Sequence, residues 1–235
     1  MSNNLWQRLG AASGIVSVII LTGRDFIPSR EYGTAAEEIA RTCATITTPQ
    51  TVDVVNSLIS LMGILGSLGF LFFFGSLWSA LRRAEGDDGW LAAAAFGGGL
   101  LSLAILLSGG AISFAAHSNA CAGIDPQLWQ VLHDVGGGAF FISFFPLAVL
   151  LAASAVVAIR FGALPRWLGW MSAFVALTLL IGGIAGIDYA REDAGLPYLL
   201  FELWTVITSI VLMRRAGVSH SAVSNAAVAA PSVAS

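Results

Sequence analysis

Long apolar stretches alternate with short polar connections along this chain. Four stretches contain no ionisable side chain: Ser57–Ala80, Gly89–Ala116, Val135–Ile159 and Trp167–Ile187. A hydrocarbon core about 30 Å thick needs roughly 20 helical residues, so each stretch is long enough to cross a bilayer. Two weaker apolar stretches, around Leu9–Gly23 and Leu199–Met213, flank them. The pattern predicts an all-α, polytopic bundle of transmembrane helices.

The turn and cap residues set the expected limits of the helices. We expect six spans, near residues 5–27, 50–82, 89–117, 126–160, 166–188 and 197–214. Asp125-Pro126 gives the fourth span an N-cap followed by proline at the first helical position. Pro146 should kink that span, because proline has no N–H to donate. Residues 1–215 would form the bundle, and the small, polar stretch 216–235 a disordered cytoplasmic tail.

The composition requires lipid as part of the solvent. The chain has 235 residues, of which 57% are hydrophobic and 11% charged, whereas a soluble domain carries about 25% charged residues. The net charge is −3 and there is no basic run, so nucleic acid is not an expected partner. All basic residues are arginine, and Ala, Gly and Val are abundant, as in proteins from high-GC bacteria. We expect a location in a bacterial plasma membrane.

The arginines predict the direction of the spans. Seven fall on one side of the predicted bundle: Arg8, Arg82, Arg83, Arg160, Arg166, Arg214 and Arg215. Four fall on the other side: Arg24, Arg30, Arg41 and Arg191. The positive-inside rule makes the first side cytoplasmic, with both termini inside. No small-residue cleavage site follows the N-terminus, so we expect a retained first helix rather than a signal peptide.

Aromatic residues mark the expected membrane interfaces, because amphipathic rings prefer the headgroup level. The tryptophans expected at the inner interface are Trp6, Trp78, Trp90, Trp167 and Trp170. The aromatic residues expected at or near the outer one are Trp129, Trp204, Tyr32, Tyr189 and Tyr198.

The longest outer connection carries a helix signal and one of the two cysteines. Thr34-Ala35-Ala36-Glu37 matches a capping box, and Ala36, Ile39, Ala40 and Cys43 follow at helical spacing. We expect a short amphipathic helix at about 35–45, lying over the outer mouth of the bundle. Cys43 and Cys121 both fall in outer loops, where an oxidising compartment favours a disulfide. Two unrelated buried thiols are the alternative.

Glycine is frequent inside the spans and has two interpretations. Gly182-x-x-x-Gly186 and Gly109-x-x-x-Ser113 are small-xxx-small pairs, which let helix backbones approach closely in lipid. These pairs could serve packing within the chain or a face for another membrane protein. The lipid bilayer, and through such faces other membrane proteins, are the expected partners.

Polar residues gather near the outer ends of the spans. The candidate cluster is Arg24, Asp53, Asp134, His133, Asp188 and Glu202. Ionisable groups at membrane depth are costly, so they suggest an outward-facing site for a cation, a proton or a polar substrate. A structural network of arginine–carboxylate pairs in the headgroup zone is the alternative.

No residue pattern identifies a reaction. The chain has no C-x-x-C, no C-x-x-C-H, no H-x-x-E-H and no phosphate loop. His117, His133 and Cys121 could in principle ligate haem or a metal, although no ligand spacing supports this. We therefore expect no catalytic site and no cofactor, and the balance leans against an enzyme, including one that acts on lipids.

Three interfacial motifs resemble a known group of proteins. They are Leu5-Trp6-Gln7-Arg8-Leu9, Ser79-Ala80-Leu81-Arg82-Arg83-Ala84-Glu85-Gly86 and Leu164-Pro165-Arg166-Trp167-Leu168-Gly169-Trp170. On these the chain resembles a loose group of uncharacterised six-pass integral membrane proteins of actinobacteria, over most of residues 5–215. The motifs are anchors and turns, so the resemblance carries no activity and no functional residue.

The sequence leaves two functional hypotheses. The first is an accessory or scaffolding subunit of a cell-envelope membrane complex. It is suggested by the glycine-rich helix faces of the chain and by the absence of a catalytic constellation. The second is a small carrier or channel that uses the outward-facing acidic cluster.

Overall fold

A computed structural model describes residues 3–25, 34–47, 52–86, 88–189 and 195–229, with side chains at 7–23, 34–44, 61–86, 88–186 and 195–215. All regular structure within these residues is helical. The helices are α1 (Asn3–Asp25), α2 (Ala35–Thr47), α3 (Val52–Glu85), α4 (Trp90–Ser118), α5 (Pro126–Ile142), α6 (Phe144–Phe161), α7 (Arg166–Tyr189) and α8 (Leu196–Ala229), with a 3-10 turn at Ala120–Ala122.

Most of these helices are long and apolar enough to cross a membrane. Five such segments occur in the described residues: Leu61–Glu85, Trp90–Ser118, Pro126–Phe161, Arg166–Gly186 and Leu196–Arg215. Gln7–Gly23 is a shorter apolar helix. The predicted all-α architecture is confirmed, and these helices indicate a membrane protein.

The fourth predicted span is interrupted near its middle. α5 ends at Ile142 and α6 begins at Phe144, with Ser143 between them. Pro146 causes the interruption, because it has no N–H for the carbonyl of Ile142 and its ring crowds the preceding turn. The Ser143 hydroxyl donates to the Phe140 carbonyl over 2.6 Å, which satisfies one acceptor at the break. The interruption falls one turn before Pro146, as expected for a proline within the span, and the kink itself stays a prediction.

Aromatic rings fill the centre of the bundle. Phe70 and Phe73 of α3 contact Phe201 and Trp204 of α8, with ring centroids 5.7 Å and 6.2 Å apart respectively. Phe144 of α6 stacks on Tyr198 of α8 at 6.1 Å. α8 is thus held between α3 and α6 by its ring contacts, while α1 packs along both α3 and α8.

Two tryptophans are buried against neighbouring helices. Trp129 and Trp204, which we expected at or near the outer interface, are 1% and 0% exposed. Trp204 belongs to the central core, and Trp129 forms a small separate core with Ala116 and Ala120. Because each ring packs against neighbouring helices, neither belongs to an aromatic belt that faces headgroups.

The predicted helix of the first connection is present as α2. Its capping box is formed: the Thr34 backbone N–H donates to Glu37 Oε2 over 3.0 Å, and the Glu37 N–H donates to Thr34 Oγ1 over 3.4 Å. The buried side of α2 differs by one position from the expected one. Ala35 and Ile39 pack against the core around Trp129, whereas Ala36 and Ala40 are exposed.

The two cysteines connect α2 to the 3-10 turn. Cys43 and Cys121 are at disulfide distance: their Cα atoms are 4.8 Å apart, and the two residues are separated by 78 positions in sequence. α2 also packs against the start of α5. The geometry is that of the predicted disulfide, which would link α2 covalently to the turn between α4 and α5.

The end of the chain continues the last helix. The backbone of residues 216–229 extends α8, and residues 230–235 lie outside the described part. The division into a bundle over 1–215 and a disordered tail over 216–235 stays a prediction.

Candidate functional site

α8 carries a row of polar side chains on its buried side. Glu202, Thr205, Thr208 and Ser209, here called the α8 polar row, interrupt a helix that is otherwise apolar between Leu199 and Met213. Their spacing of three and four residues places them on one side of the helix. All four are buried, with Glu202 only 4% exposed. A helix that faced lipid alone would gain nothing from such a row.

Glu202 is held by a residue of α1. The Thr22 hydroxyl donates to Glu202 Oε2 over 3.1 Å, which joins two helices that are 180 residues apart in sequence. A carboxylate inside a membrane span is expensive unless polar groups surround it. Of the predicted outer cluster, Glu202 is thus a member that the fold takes into the protein interior.

Three hydroxyls lie along α8 beyond Glu202. Thr205 Oγ1, Thr208 Oγ1 and Ser209 Oγ are buried and have no hydrogen-bond partner among the described residues. Serine and threonine inside helices commonly donate to the carbonyl four residues earlier, as Ser154 and Ser172 do here. An unsatisfied buried hydroxyl costs about 1–3 kcal/mol, so three in one row are a feature that needs an explanation.

α1 faces this row with small and polar residues. A side chain at Gly14 would overlap Ser209 Oγ and the ring of Phe73, so glycine lets α1 approach α8 closely. Ser13 donates to the carbonyl of Gly69 in α3 over 2.9 Å. The seam between α1, α3 and α8 is therefore tightly packed, and its polar groups face inward.

Of the other members of the predicted cluster, Asp134 and His133 lie on α5, and three have side chains outside the described residues. Asp134 is exposed on α5 and accepts a hydrogen bond from Gln130 of its own helix over 3.0 Å. His133, next to it, is half-buried. The backbones of Arg24, Asp53 and Asp188 lie in α1, α3 and α7, and their side chains are outside the described residues. Asp134 and Glu202 therefore do not share one environment.

The residues considered for a metal or haem site have other surroundings. Cys121 is at disulfide distance from Cys43. His117 is exposed; its Nδ1 lies 2.8 Å from the carbonyl oxygen of Ser113, and its ring lies 5.1 Å from that of Trp129. The described residues contain no group of three or more His, Cys, Asp or Glu side chains able to hold a metal ion.

Both small-xxx-small pairs noted in the sequence pack within the chain. Gly109 lies against Gly136 and Ala139 of α5, and Ser113 lies against Gly136. Gly182 and Gly186 lie against Pro197 and Phe141. A side chain at any of these glycines would overlap a neighbouring helix, so their role is internal packing.

A second set of glycines has no such role. A side chain at Gly97, Gly110 or Gly137 would meet no atom within 4 Å, and these residues are exposed. Gly97 belongs to a row of small, exposed residues, here called the outward α4 face: Ala93, Gly97, Ala104, Ser108, Ala111 and Ala115. Steps of three, four and seven residues keep this row on one side of α4.

Sequence reasoning named Glu202 but missed its neighbours. The recurrence of hydroxyl residues at 205, 208 and 209 was the available signal, since three and four residues separate neighbours on a helix face. The outward α4 face carried no separate signal, because the exposed Gly97 directly precedes the buried Gly98 and Gly99 in one run of glycines.

Comparison with protein-family models, with curated proteins and with solved structures gives no match to this chain.

Proposed function

We propose that this protein is an accessory or scaffolding subunit of a membrane complex in the bacterial cell envelope. In this proposal it crosses the plasma membrane six times, with Gln7–Gly23 as the first span and both termini in the cytoplasm. The seven-to-four distribution of arginines supports that direction. The three interfacial motifs support an actinobacterial source. The proposal assigns the protein no catalytic step of its own.

The outward α4 face carries this proposal. Glycine in a helix costs about 1 kcal/mol relative to alanine, and the contacts of the described residues do not repay that cost at Gly97. No hydrophobic driving force acts between helices in lipid. Small residues offset the cost of glycine there by letting a second helix approach closely enough for van der Waals packing. Ala93, Ala104 and Ala111 extend this row of small residues along α4, with the exposed Leu101 between Gly97 and Ala104. A partner helix seated there would bring two backbones into contact.

The test is native purification from the source membrane in mild detergent, with mass spectrometry of the proteins that accompany the chain. We expect a stoichiometric membrane partner that is retained by the control Val149→Leu, which changes an exposed residue of α6. Gly97→Leu should lose this partner while its unfolding temperature stays at or above that of the parent protein, because the added side chain meets open space. A chain that purifies alone in several mild detergents, or a partner that Gly97→Leu retains, would contradict the proposal.

The direction of the spans has its own test. Fusions of a fluorescent protein and of alkaline phosphatase after Arg215 report the side on which α8 ends. Cytoplasmic fluorescence with inactive phosphatase is the expected result. Active phosphatase at this position would reverse the direction and remove the support that the arginines give.

A second candidate function is a small carrier or channel, which the burial of Glu202 favours. The α8 polar row places a carboxylate and three hydroxyls inside a helix seam, and such groups in membrane proteins commonly mark ion or proton pathways. Purified protein in liposomes, with imposed proton, sodium and potassium gradients, tests this directly. Flux that Glu202→Gln abolishes and Asp134→Asn leaves intact would support the carrier. Equal flux in all three proteins would rule out a role for Glu202.

A further inference from the structure

A groove of about 450 Å³ runs between α6 and α7 and is open to the surroundings of the bundle. The buried alanines Ala155 and Ala176 form its floor, because small side chains on both helices leave the space open. Val156 and Leu177 form its rim and are 39% and 56% exposed. Its lining is apolar except at one end, where Arg160 closes it.

Three arginines lie at or beside the turn that joins α6 to α7, next to the charged end of the groove. Arg160 is exposed in the last turn of α6, and Arg166 begins α7 after a short turn. Arg215 of α8 donates to the carbonyls of Gly162 and Ala163 in that turn. Glu85 is an acid on this predicted side of the bundle. Its carboxylate accepts hydrogen bonds from the backbone N–H groups of Leu91 and Ala92 over 2.9 and 2.8 Å and so caps α4.

Two tryptophans indicate the depth of this end in the membrane. Trp167 and Trp170, in the first turns of α7, are 54% and 67% exposed. Exposed tryptophans of membrane proteins concentrate at the headgroup level. Arg160 would therefore lie beside the lipid phosphates, and the alanine floor would extend from there into the hydrocarbon.

We propose that this groove binds one anionic phospholipid, with an acyl chain on the floor formed by Ala155 and Ala176 and the phosphate on Arg160. The apolar lining matches a hydrocarbon chain, and the charge of Arg160 complements the headgroup. Basic pockets between helices on the cytoplasmic side of membrane proteins bind anionic headgroups in this way. A protein helix in the groove would have to bring a carboxylate to the same depth, whereas an anionic membrane supplies phosphates there.

The test uses the full-length protein in nanodiscs that contain phosphatidylglycerol or phosphatidylcholine, with retained lipids counted by native mass spectrometry. One basic residue near the headgroups contributes about 1 kcal/mol, so the parent protein should retain phosphatidylglycerol about fivefold more tightly. Arg160→Gln should remove this preference, whereas Arg214→Gln, an exposed arginine outside the groove, should keep it. Ala152→Leu fills the groove at an exposed lining residue and should weaken the retention of both lipids. Its control is Gly137→Leu on α5, an exposed position with open space around it, which should retain both lipids as the parent does.

Three lipid-retention results would overturn the proposal. They are equal retention of both lipids by the parent protein, equal behaviour of Arg160→Gln and Arg214→Gln, and parent-like retention by Ala152→Leu. A protein partner that Ala152→Leu displaces would also overturn it, because the groove would then hold a helix. The outcome is independent of the proposed accessory role, which the separate test at Gly97 addresses.

Discussion

The hydroxyl of Thr22 in α1 donates a hydrogen bond to Oε2 of Glu202 in α8 over 3.1 Å. This contact joins the first helix of the bundle to the last. Because α1 is less apolar than the other spans, its place in the bundle depends more on specific contacts than on lipid. The hydrogen bond between Thr22 and Glu202 is one such contact, and the close approach of Gly14 to Ser209 is another.

Removing the Thr22 hydroxyl should destabilise the protein modestly. Thr22→Val keeps the shape of the side chain and leaves Glu202 Oε2 without this donor. Hydrogen bonds between membrane helices contribute about 0.6–1.7 kcal/mol, so we expect the unfolding temperature in detergent to fall by a few degrees. Thr178→Val is the matched control, since that hydroxyl donates to Val175 of its own helix over 2.9 Å. A drop no larger than that of the control would show that the contact adds no stability.

Adjacent glycines of α4 should respond in opposite directions to the same substitution. A side chain at Gly98 would lie 2.5 Å from the carbonyl oxygen of Pro146 and 3.0 Å from the backbone nitrogen of Leu150. Backbone atoms cannot move aside easily, so Gly98→Ala should cost about 1–3 kcal/mol. Gly97→Ala meets open space and should stabilise the isolated protein by up to about 1 kcal/mol. Thermal unfolding of the two variants side by side measures the difference. Two similar shifts in unfolding temperature would mean that Gly98 of α4 does not pack against the backbone of Pro146 and Leu150.

The Cys43–Cys121 pair should resist alkylation until a reductant is added. Bridging residues 78 apart typically stabilises a protein by about 2–4 kcal/mol. Cys121→Ser should therefore lower the unfolding temperature, and the double variant Cys43→Ser/Cys121→Ser should cost no more, because both remove the same bond. α2 should become protease-sensitive in each. Two free thiols in protein purified under oxidising conditions would contradict the pairing.

Local signals in the sequence were sufficient for some elements and not for others. The capping box at Thr34 and Glu37 predicted the start of α2 because all of its partners lie within four residues. Pro146 predicted the break between α5 and α6 for the same reason. The buried side of α2 was misplaced by one residue, since Ala35, Ala36 and Ala40 are equally small and apolar and only packing distinguishes them.

The candidate site shows a limit that is general for membrane helices. In a soluble protein, the periodic pattern of apolar residues reveals which side of a helix is buried. Here lipid accepts apolar residues on the outer side as well, so Asp134 and Glu202 were equivalent in sequence. The fold separates them: Asp134 faces outward beside Gln130, whereas Glu202 turns inward to Thr22. The same ambiguity hid the difference between Gly97 and Gly98.

The most direct test of the proposed accessory role is photo-crosslinking from α4 in the source membrane. A photoreactive amino acid replaces Ala104 on the outward α4 face, and in a control chain it replaces Ile181, which is 59% exposed on α7. We expect one protein adduct of defined mass from position 104 and lipid adducts alone from position 181. Lipid adducts alone from both positions would contradict it, because the outward α4 face would then meet only the bilayer.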